Sequence, residues 1–361
     1  MAKVVLAMSG GVDSSVAALI LQRAGHEVIG LFMKNWEGSG EECSVREDFS
    51  DVTAVCHQLD IPYYAVNFVD SYREKVFSPF LHGYERGETP NPDILCNREI
   101  KFSLLFDKAL SLGADYLATG HYCRENGGKL LRGRDRRKDQ SYFLYTLSKE
   151  RLERILFPLG EKDKSEVRAL AGREELATAC KKESMGICCI GKCKFASFLS
   201  QYLSPSEGII ETIEGKPVGR HMGVAYYTIG QRRGLGIGGE GTGWFVVKKD
   251  AMRNVLVVAP GNDHSALYAD SLTLSDLHWI AGIAPSLSLP LTAKVRYRQM
   301  DQPCSLSNLS EESVQVHFST PQRALAVGQS VVFYSGQICL GGGVISMVAP
   351  SYYEQNRSLP F

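Results

Sequence analysis

Val4-Val5-Leu6-Ala7-Met8-Ser9-Gly10-Gly11-Val12-Asp13-Ser14-Ser15 runs from an apolar segment through a glycine turn and on towards a second apolar segment, Val16–Leu21. The first reads as a buried strand, the second as a helix ending near Gly25. Strand, tight turn and helix N-terminus together make an anion site. Backbone N–H groups and the helix dipole face one spot, and glycines let the backbone come close to it. The loop has no Lys of the Walker A kind, which argues against that type of γ-phosphate cradle. A turn that merely joined strand to helix would leave both serines and Asp13 as coincidence.

The next hundred residues repeat the alternation. Val28–Met33, Tyr63–Phe68 and Asp115–Gly120 read as strands, and Asp48–Leu59 and Phe102–Leu112 as helices. Repeated β-α-β units predict an α/β fold with a doubly wound parallel sheet and ligands at the carboxyl ends of its strands. The glycine loop, Met33 and Gly120-His121 are therefore expected to meet at one nucleotide.

With 361 residues and 44% hydrophobic content, two or three domains are expected. No apolar run approaches a bilayer span, and neither a signal peptide nor a transit segment is legible at the start. The expected setting is the cytoplasm, with no membrane partner. Residues 125–135 read as a hairpin turning at Asn126-Gly127-Gly128. Residues 142–180 read as mainly helical, with Glu166–Leu176 the clearest stretch and Ser165 its N-cap. After Ser204-Pro205 glycine becomes frequent and the pattern turns to strands: Val224–Ile229, Gly243–Val247, Val255–Val258, Thr292–Arg298, Ser313–Phe318 and Ser330–Tyr334. The predicted layout is a catalytic domain over 1–204, a small glycine-rich β domain over 205–271 and a C-terminal β-barrel over 272–361.

Net charge is zero, yet Arg124, Lys129, Arg132, Arg134, Arg136, Arg137 and Lys138 cluster against only Glu125 and Asp135. Such a cluster holds phosphates or is a solvated hairpin face. Ten cysteines in a reducing compartment are small buried apolar residues or chemistry. Cys56, on an apolar helix face, reads as the former. Cys96 lies in Thr89-Pro90-Asn91-Pro92-Asp93-Ile94-Leu95-Cys96-Asn97, which the prolines mark as a rigid exposed loop. Asp93 stands close enough there to act as an acid or base. Cys188 lies between Gly186 and Gly191, near Lys181, Lys182, Lys192 and Lys194, whose charges favour the thiolate. Cys180, Cys188, Cys189 and Cys193 form no Cys-x-x-Cys pair, so neither zinc nor an iron–sulfur cluster is expected. On its residues alone, Cys96 reads equally as a buried thiol or a reactive one.

Ser9–Ser15 resembles the pyrophosphate-binding loop of the ATP pyrophosphatases, which split ATP between the α and β phosphates. Phe32-Met33-Lys34-Asn35-Trp36, Thr89–Arg98, Ala118-Thr119-Gly120-His121-Tyr122, Lys138–Leu144, Gly186-Ile187-Cys188 and Arg296-Tyr297-Arg298-Gln299 extend the likeness. In this order, over nearly the whole chain, they resemble the tRNA-specific 2-thiouridylases. That resemblance implies a tRNA-uridine 2-sulfurtransferase, which exchanges the C2 oxygen of the wobble uridine for sulfur at the expense of ATP. It implies that Ala7, Met8, Ser9, Gly10, Gly11, Val12, Asp13, Ser14, Met33 and Gly120 bind ATP, with Mg²⁺ accompanying it. Asn91, Pro92 and Asp93 would face the target base, and Lys138, Asp139, Gln140, Arg296 and Tyr297 would touch tRNA. Cys188 would carry a persulfide received from a donor protein, and Cys96 would be the second nucleophile, joined to it transiently as a Cys96–Cys188 disulfide. Cys189 stands where an aromatic residue is expected, and Cys193 is a further thiol nearby. Another ATP pyrophosphatase, a small-molecule ligase or amidotransferase, would explain the loop but neither the paired cysteine motifs nor the basic hairpin. An RNA-binding module without activity would not need the intact loop or both cysteines.

Overall fold

The computed structural model describes residues 1–37, 45–182, 195–238 and 242–361. Its first sheet is built from β1 (Lys3–Met8), β2 (Glu27–Lys34), β3 (Tyr63–Asn67) and β4 (Tyr116–Ala118). β5 (Cys123–Asn126) and β6 (Lys129–Arg132) form the expected hairpin, and β7 (Ile155–Leu156) returns to the first sheet. The order is β3-β2-β1-β4-β7, every pair parallel. Val4, Leu6 and Met8 of β1 face one core, shared with α1 (Val12–Arg23) and α2 (Val45–Gln58). Val5 faces a second core with Leu105, Ala109 and Leu117. A strand buried on both faces must be apolar throughout, which is why Val4–Ala7 carries no alternation.

Local expectations fail where tertiary context decides. β7 lies inside a stretch read as helical, and its two residues are too few to show a period. The helix expected at Phe102–Leu112 begins earlier, at Asn97, in wide π-type turns that pass into a regular helix over Phe106–Ser111. The helix expected from Glu166 runs Lys164–Arg173, and its N-cap is Asp163, not Ser165, closing a reciprocal capping box with Glu166.

β8 (Gly208–Thr212), β9 (Pro217–His221), β10 (Trp244–Asp250) and β11 (Val255–Pro260) form a second sheet in the order β10-β11-β8-β9. Val224–Ile229 is not a strand; Val224–Tyr226 is a short 3₁₀ turn packed into the core. The remaining strands are β12 (Tyr268–Trp279), β13 (Leu291–Lys294), β14 (Gln302–Ser307), β15 (Val314–Arg323), β16 (Ser330–Ser335) and β17 (Ile338–Val348). They run β12-β15-β14-β13-β16-β17, and β12 pairs with β17 to close a six-stranded barrel. The β5–β6 hairpin is attached to its outside: Leu131 pairs with Ile338 and Leu130 with Cys339. Thr292–Arg298 is strand only as far as Lys294, beyond which the chain turns.

Candidate active site

The chain leaves β1 at Met8 and enters α1 through Ser9-Gly10-Gly11. Gly10 has φ +71°, and a Cβ there would stand 2.4 Å from the Asp48 carbonyl oxygen of α2, so only glycine fits. Gly11 is the N-cap and brings no side chain to the first N–H groups of α1. An uncapped helix start beside a glycine turn suits an anion. Ser14 fixes the turn from inside: its Oγ donates to the Gly11 carbonyl (3.0 Å) and accepts from the Ser9 N–H (3.2 Å). Gly120, just past β4, backs onto the turn, where a Cβ would stand 3.1 Å from the Asp13 carbonyl carbon and the Ser14 nitrogen. Met33 sits one residue beyond the Met8–Phe32 pair of β1 and β2. The structure thus gathers Ala7–Ser14, Met33 and Gly120 at adjacent strand ends.

Two residues that the sequence reading missed complete this site. Lys164 Nζ donates to both Asp13 carboxylate oxygens at 2.7 Å, and Tyr122 Oη donates to Oδ1 at 2.7 Å. The capping box fixes Lys164 in the first helical position, a signal present in the sequence. Nothing local points from there to Asp13, 151 residues away.

The exposed loop read into Thr89–Asn97 is corrected. Pro92–Cys96 is a short helix, with Asn91 as N-cap accepting from the Asp93 N–H (3.1 Å) and the Ile94 N–H (3.4 Å). Proline at the first helical position forfeits no hydrogen bond, so Asn-Pro here starts a helix instead of marking a loop. Cys96 is 0% exposed, in a cluster with Trp36, Tyr72, Phe77 and Phe80. Asp93 stands one turn before it, on the same side of the helix. Met33 packs against this cluster, linking the strand ends to Cys96.

The basic track is thinner than the sequence promised. Arg132 is 1% exposed; it lies 3.5 Å from the Tyr334 ring centroid, donates to Asp301 (2.7 Å) and stands 3.8 Å from the Asp139 carboxylate. The Asp139 side chain, expected to touch tRNA, is turned inward. It is 4% exposed and accepts from the Gly133 N–H, the Ser141 N–H and Ser141 Oγ. Arg134 is paired with Asp163 and Glu166. Arg136 and Arg137 are exposed. Tyr297 Oη reaches the Lys138 carbonyl at 3.4 Å and its ring lies 4.5 Å from that of Phe143, bringing the last-domain motif to the hairpin segment. Gln140 accepts from the Tyr122 N–H at 2.9 Å, tying that segment to the residue that holds Asp13. Arg296 is anchored on the Ala324 carbonyl at 2.8 Å.

Cys188, with Cys189, Cys193, Lys192 and Lys194, lies outside the described residues, and so does any Cys96–Cys188 pairing. Lys181, counted on to favour the Cys188 thiolate, is held by Asp48 (2.7 Å) and Asp51. Burial pushes the Cys56 thiol up to about 11 and Cys304 to about 12, and raises Cys123 and Cys339 as well, which disfavours the nucleophilic thiolate at all four. No group of three or more His, Cys, Asp or Glu able to hold a metal stands together among the described residues. No helix among them is long and apolar enough to cross a membrane.

Comparison with known proteins agrees with this layout. Residues 2–192 match the family described as tRNA methyl transferase HUP domain, residues 196–260 its PRC-barrel domain, and residues 269–345 the aminomethyltransferase beta-barrel domain. The chain is 54% identical to the tRNA-specific 2-thiouridylase MnmA of Protochlamydia amoebophila over 99% of this chain and 96% of that protein. It is 51% identical to the protein of the same name from Oceanobacillus iheyensis, over 96% of this chain and 95% of the other. For that of Nitrosomonas eutropha the figures are 53%, 95% and 98%.

Proposed function

The chain belongs to the tRNA-specific 2-thiouridylase family, and on that premise we propose a division of the reaction among its own residues. It is a tRNA-uridine 2-sulfurtransferase of the cytoplasm. ATP lies with its phosphates on Ser9–Ser14 and its nucleoside towards Met33 and Gly120. Mg²⁺ would come with the nucleotide and screen its phosphates; Asp13 would be the carboxylate to hold it, and Lys164, now paired with Asp13, would then turn its charge to the phosphates. The flipped wobble uridine enters beside Asn91, Pro92 and Asp93 while Arg136, Arg137, Lys138, Gln140, Arg296 and Tyr297 hold the backbone.

The C2 oxygen is a poor leaving group until it attacks the α phosphate, which releases pyrophosphate and leaves C2 bearing AMP. The outer sulfur of a Cys188 persulfide, received from a donor protein, then attacks C2, and AMP departs. Cys96, as thiolate, attacks the inner sulfur; the S–S bond breaks, the outer sulfur stays on C2 as the thiocarbonyl, and a Cys96–Cys188 disulfide remains for an external thiol to reduce. Asp93, one turn from Cys96, takes the thiol proton.

The observation that supports this reading best is the meeting of two faces. Gly120 backs the phosphate turn, and Met33 packs on the cluster that holds Cys96. Both contacts support a nucleotide and a base that meet at one strand end. The test is mass spectrometry of tRNA nucleosides after incubation with ATP, Mg²⁺ and a persulfide donor. 2-Thiouridine is expected from the wild type and from neither Cys96→Ser nor Cys188→Ser. A single turnover without reductant should leave a Cys96–Cys188 peptide. Full multiple-turnover activity in Cys96→Ser would overturn the two-cysteine scheme.

A further inference from the structure

The segment that carries Asn91, Asp93 and Cys96 is rooted in the other two domains. At its N-terminal end the Thr89 N–H donates to the Val327 carbonyl (2.8 Å), and Gln329 Nε2 donates to the Thr89 carbonyl (2.6 Å). Thr89 therefore has both backbone groups bonded to the β15–β16 turn, with a glutamine side chain standing where a neighbouring strand would put an N–H. Gly328, at φ +89°, lets the turn come this close; a Cβ there would stand 3.0 Å from the Thr89 nitrogen. From the middle domain Lys249 Nζ donates to the Glu88 carbonyl (3.3 Å) and the Tyr227 carbonyl (2.9 Å). At the far end Arg98 donates to Asp276 of β12 (2.7 Å).

Gly87, Thr89, Lys249, Ala326 and Val327 line a cavity of about 1000 Å³ between the three domains. Within its own domain the Glu88 N–H donates to the Gly83 carbonyl (2.9 Å), whereas both Thr89 backbone groups are bonded to the barrel turn across the rim of this cavity. Burial in this junction lowers the Lys249 amine to about 8, with the Glu88 charge pulling the other way.

We propose that Gln329 of the barrel and Lys249 of the middle domain are positioning residues for the Asn91–Cys96 segment, so that the accessory domains set where the target base meets Asp93 and Cys96. This rests on the assignment of that segment to the base. A displacement of about 1 Å in such a segment costs on the order of a hundredfold in rate. It also has a chemical signature. A base adenylated out of line with its sulfur donor is open to water, which attacks C2, expels AMP and restores uridine. Pyrophosphate is then released without thiolation.

The experiment compares Gln329→Met, Lys249→Met and the one-atom change Gln329→Glu with the wild type, each normalised to its ATP-binding stoichiometry by calorimetry. Pyrophosphate and 2-thiouridine are measured in the same reaction. Expected is a ten- to hundredfold lower kcat for thiolation, a tRNA KM within about threefold of wild type, and a pyrophosphate-to-thiouridine ratio rising from near one to three or more. Unchanged kcat in all three variants would overturn the proposal. So would a lower kcat at the wild-type ratio, which is what a merely structural role gives. Asp93→Ala and Cys96→Ser are run alongside. If they thiolate normally, it is the assignment of the segment that fails, and that outcome is distinct from failure of the two supporting contacts.

Discussion

Asp13 shows how much one carboxylate is asked to do at the scale of a residue. It sits in the first turn of α1, where the helix dipole favours a negative charge, and it is held by Lys164 and Tyr122. Asp13→Asn keeps the shape and the Tyr122 contact but removes the charge opposite Lys164. tRNA-dependent pyrophosphate release is expected to fall at least a hundredfold, with the thermal unfolding midpoint lowered by only a few degrees through loss of the Lys164 pair and the dipole contact; near-normal release would remove Asp13 from the nucleotide site. Asn91 is the contrasting case, because its side chain supports backbone. Asn91→Ala leaves the Asp93 and Ile94 N–H groups without their acceptor, a loss of about 1 kcal/mol by the usual cost of an N-cap. Asn91→Asp, an equally good cap, should restore stability in urea unfolding. If it did not, the capping role would be wrong.

At the scale of the element, the hairpin and its exit separate two kinds of arginine that look alike in sequence. Arg136→Glu with Arg137→Glu should weaken every tRNA about equally and flatten the dependence of log Kd on log salt, because exposed phosphate contacts position without specifying. An unchanged salt slope would exclude this surface. Arg132→Met should instead cost about 3 kcal/mol in stability by removing the buried charge opposite Asp139 and Asp301, whatever the RNA. Periodicity could not have told them apart, since burial of Arg132 is created by Tyr334 from 202 positions further along the numbering. The same limit runs through the fold. β1 to β3 and α1 were legible because continuous apolar runs and glycine breaks are local signals. β7, with two residues, was not. The Cys96 helix was misread because proline was taken as a breaker when it stood at N1. The glycine turn between strand and helix was legible, whereas Lys164 and Tyr122 meet its Asp13 only after the chain has folded.

For the whole molecule, the junction of the three domains should make stability depend on pH through Lys249. Its amine is lowered from an ordinary 10.5 to about 8 by burial, with Glu88 pulling the other way. Below about 8 the amine is charged in folded and unfolded chains alike, and the fold carries the full cost of burying it. Between about 8 and 10.5 the folded chain releases the proton that the unfolded chain keeps, so the fold gains stability as pH rises. Lys249→Met lacks this gain. Relative to wild type, the variant should lose on the order of 2 kcal/mol between pH 7.5 and 9.5 in urea unfolding. Parallel curves for the two proteins would mean that the amine titrates as an exposed lysine.

The pairing of Leu131 with Ile338 carries a consequence for how the protein is made. β6 leaves the ribosome about 200 residues before the strand it pairs with, which at ordinary elongation speeds is a delay of roughly 10–40 s. Through that interval the nascent catalytic domain presents an open strand edge, a template for pairing with other chains. A ribosome that stops before β17 therefore releases a domain with its glycine turn in place and an adhesive flank, which makes β17 a guard against aggregation as much as a strand of the barrel.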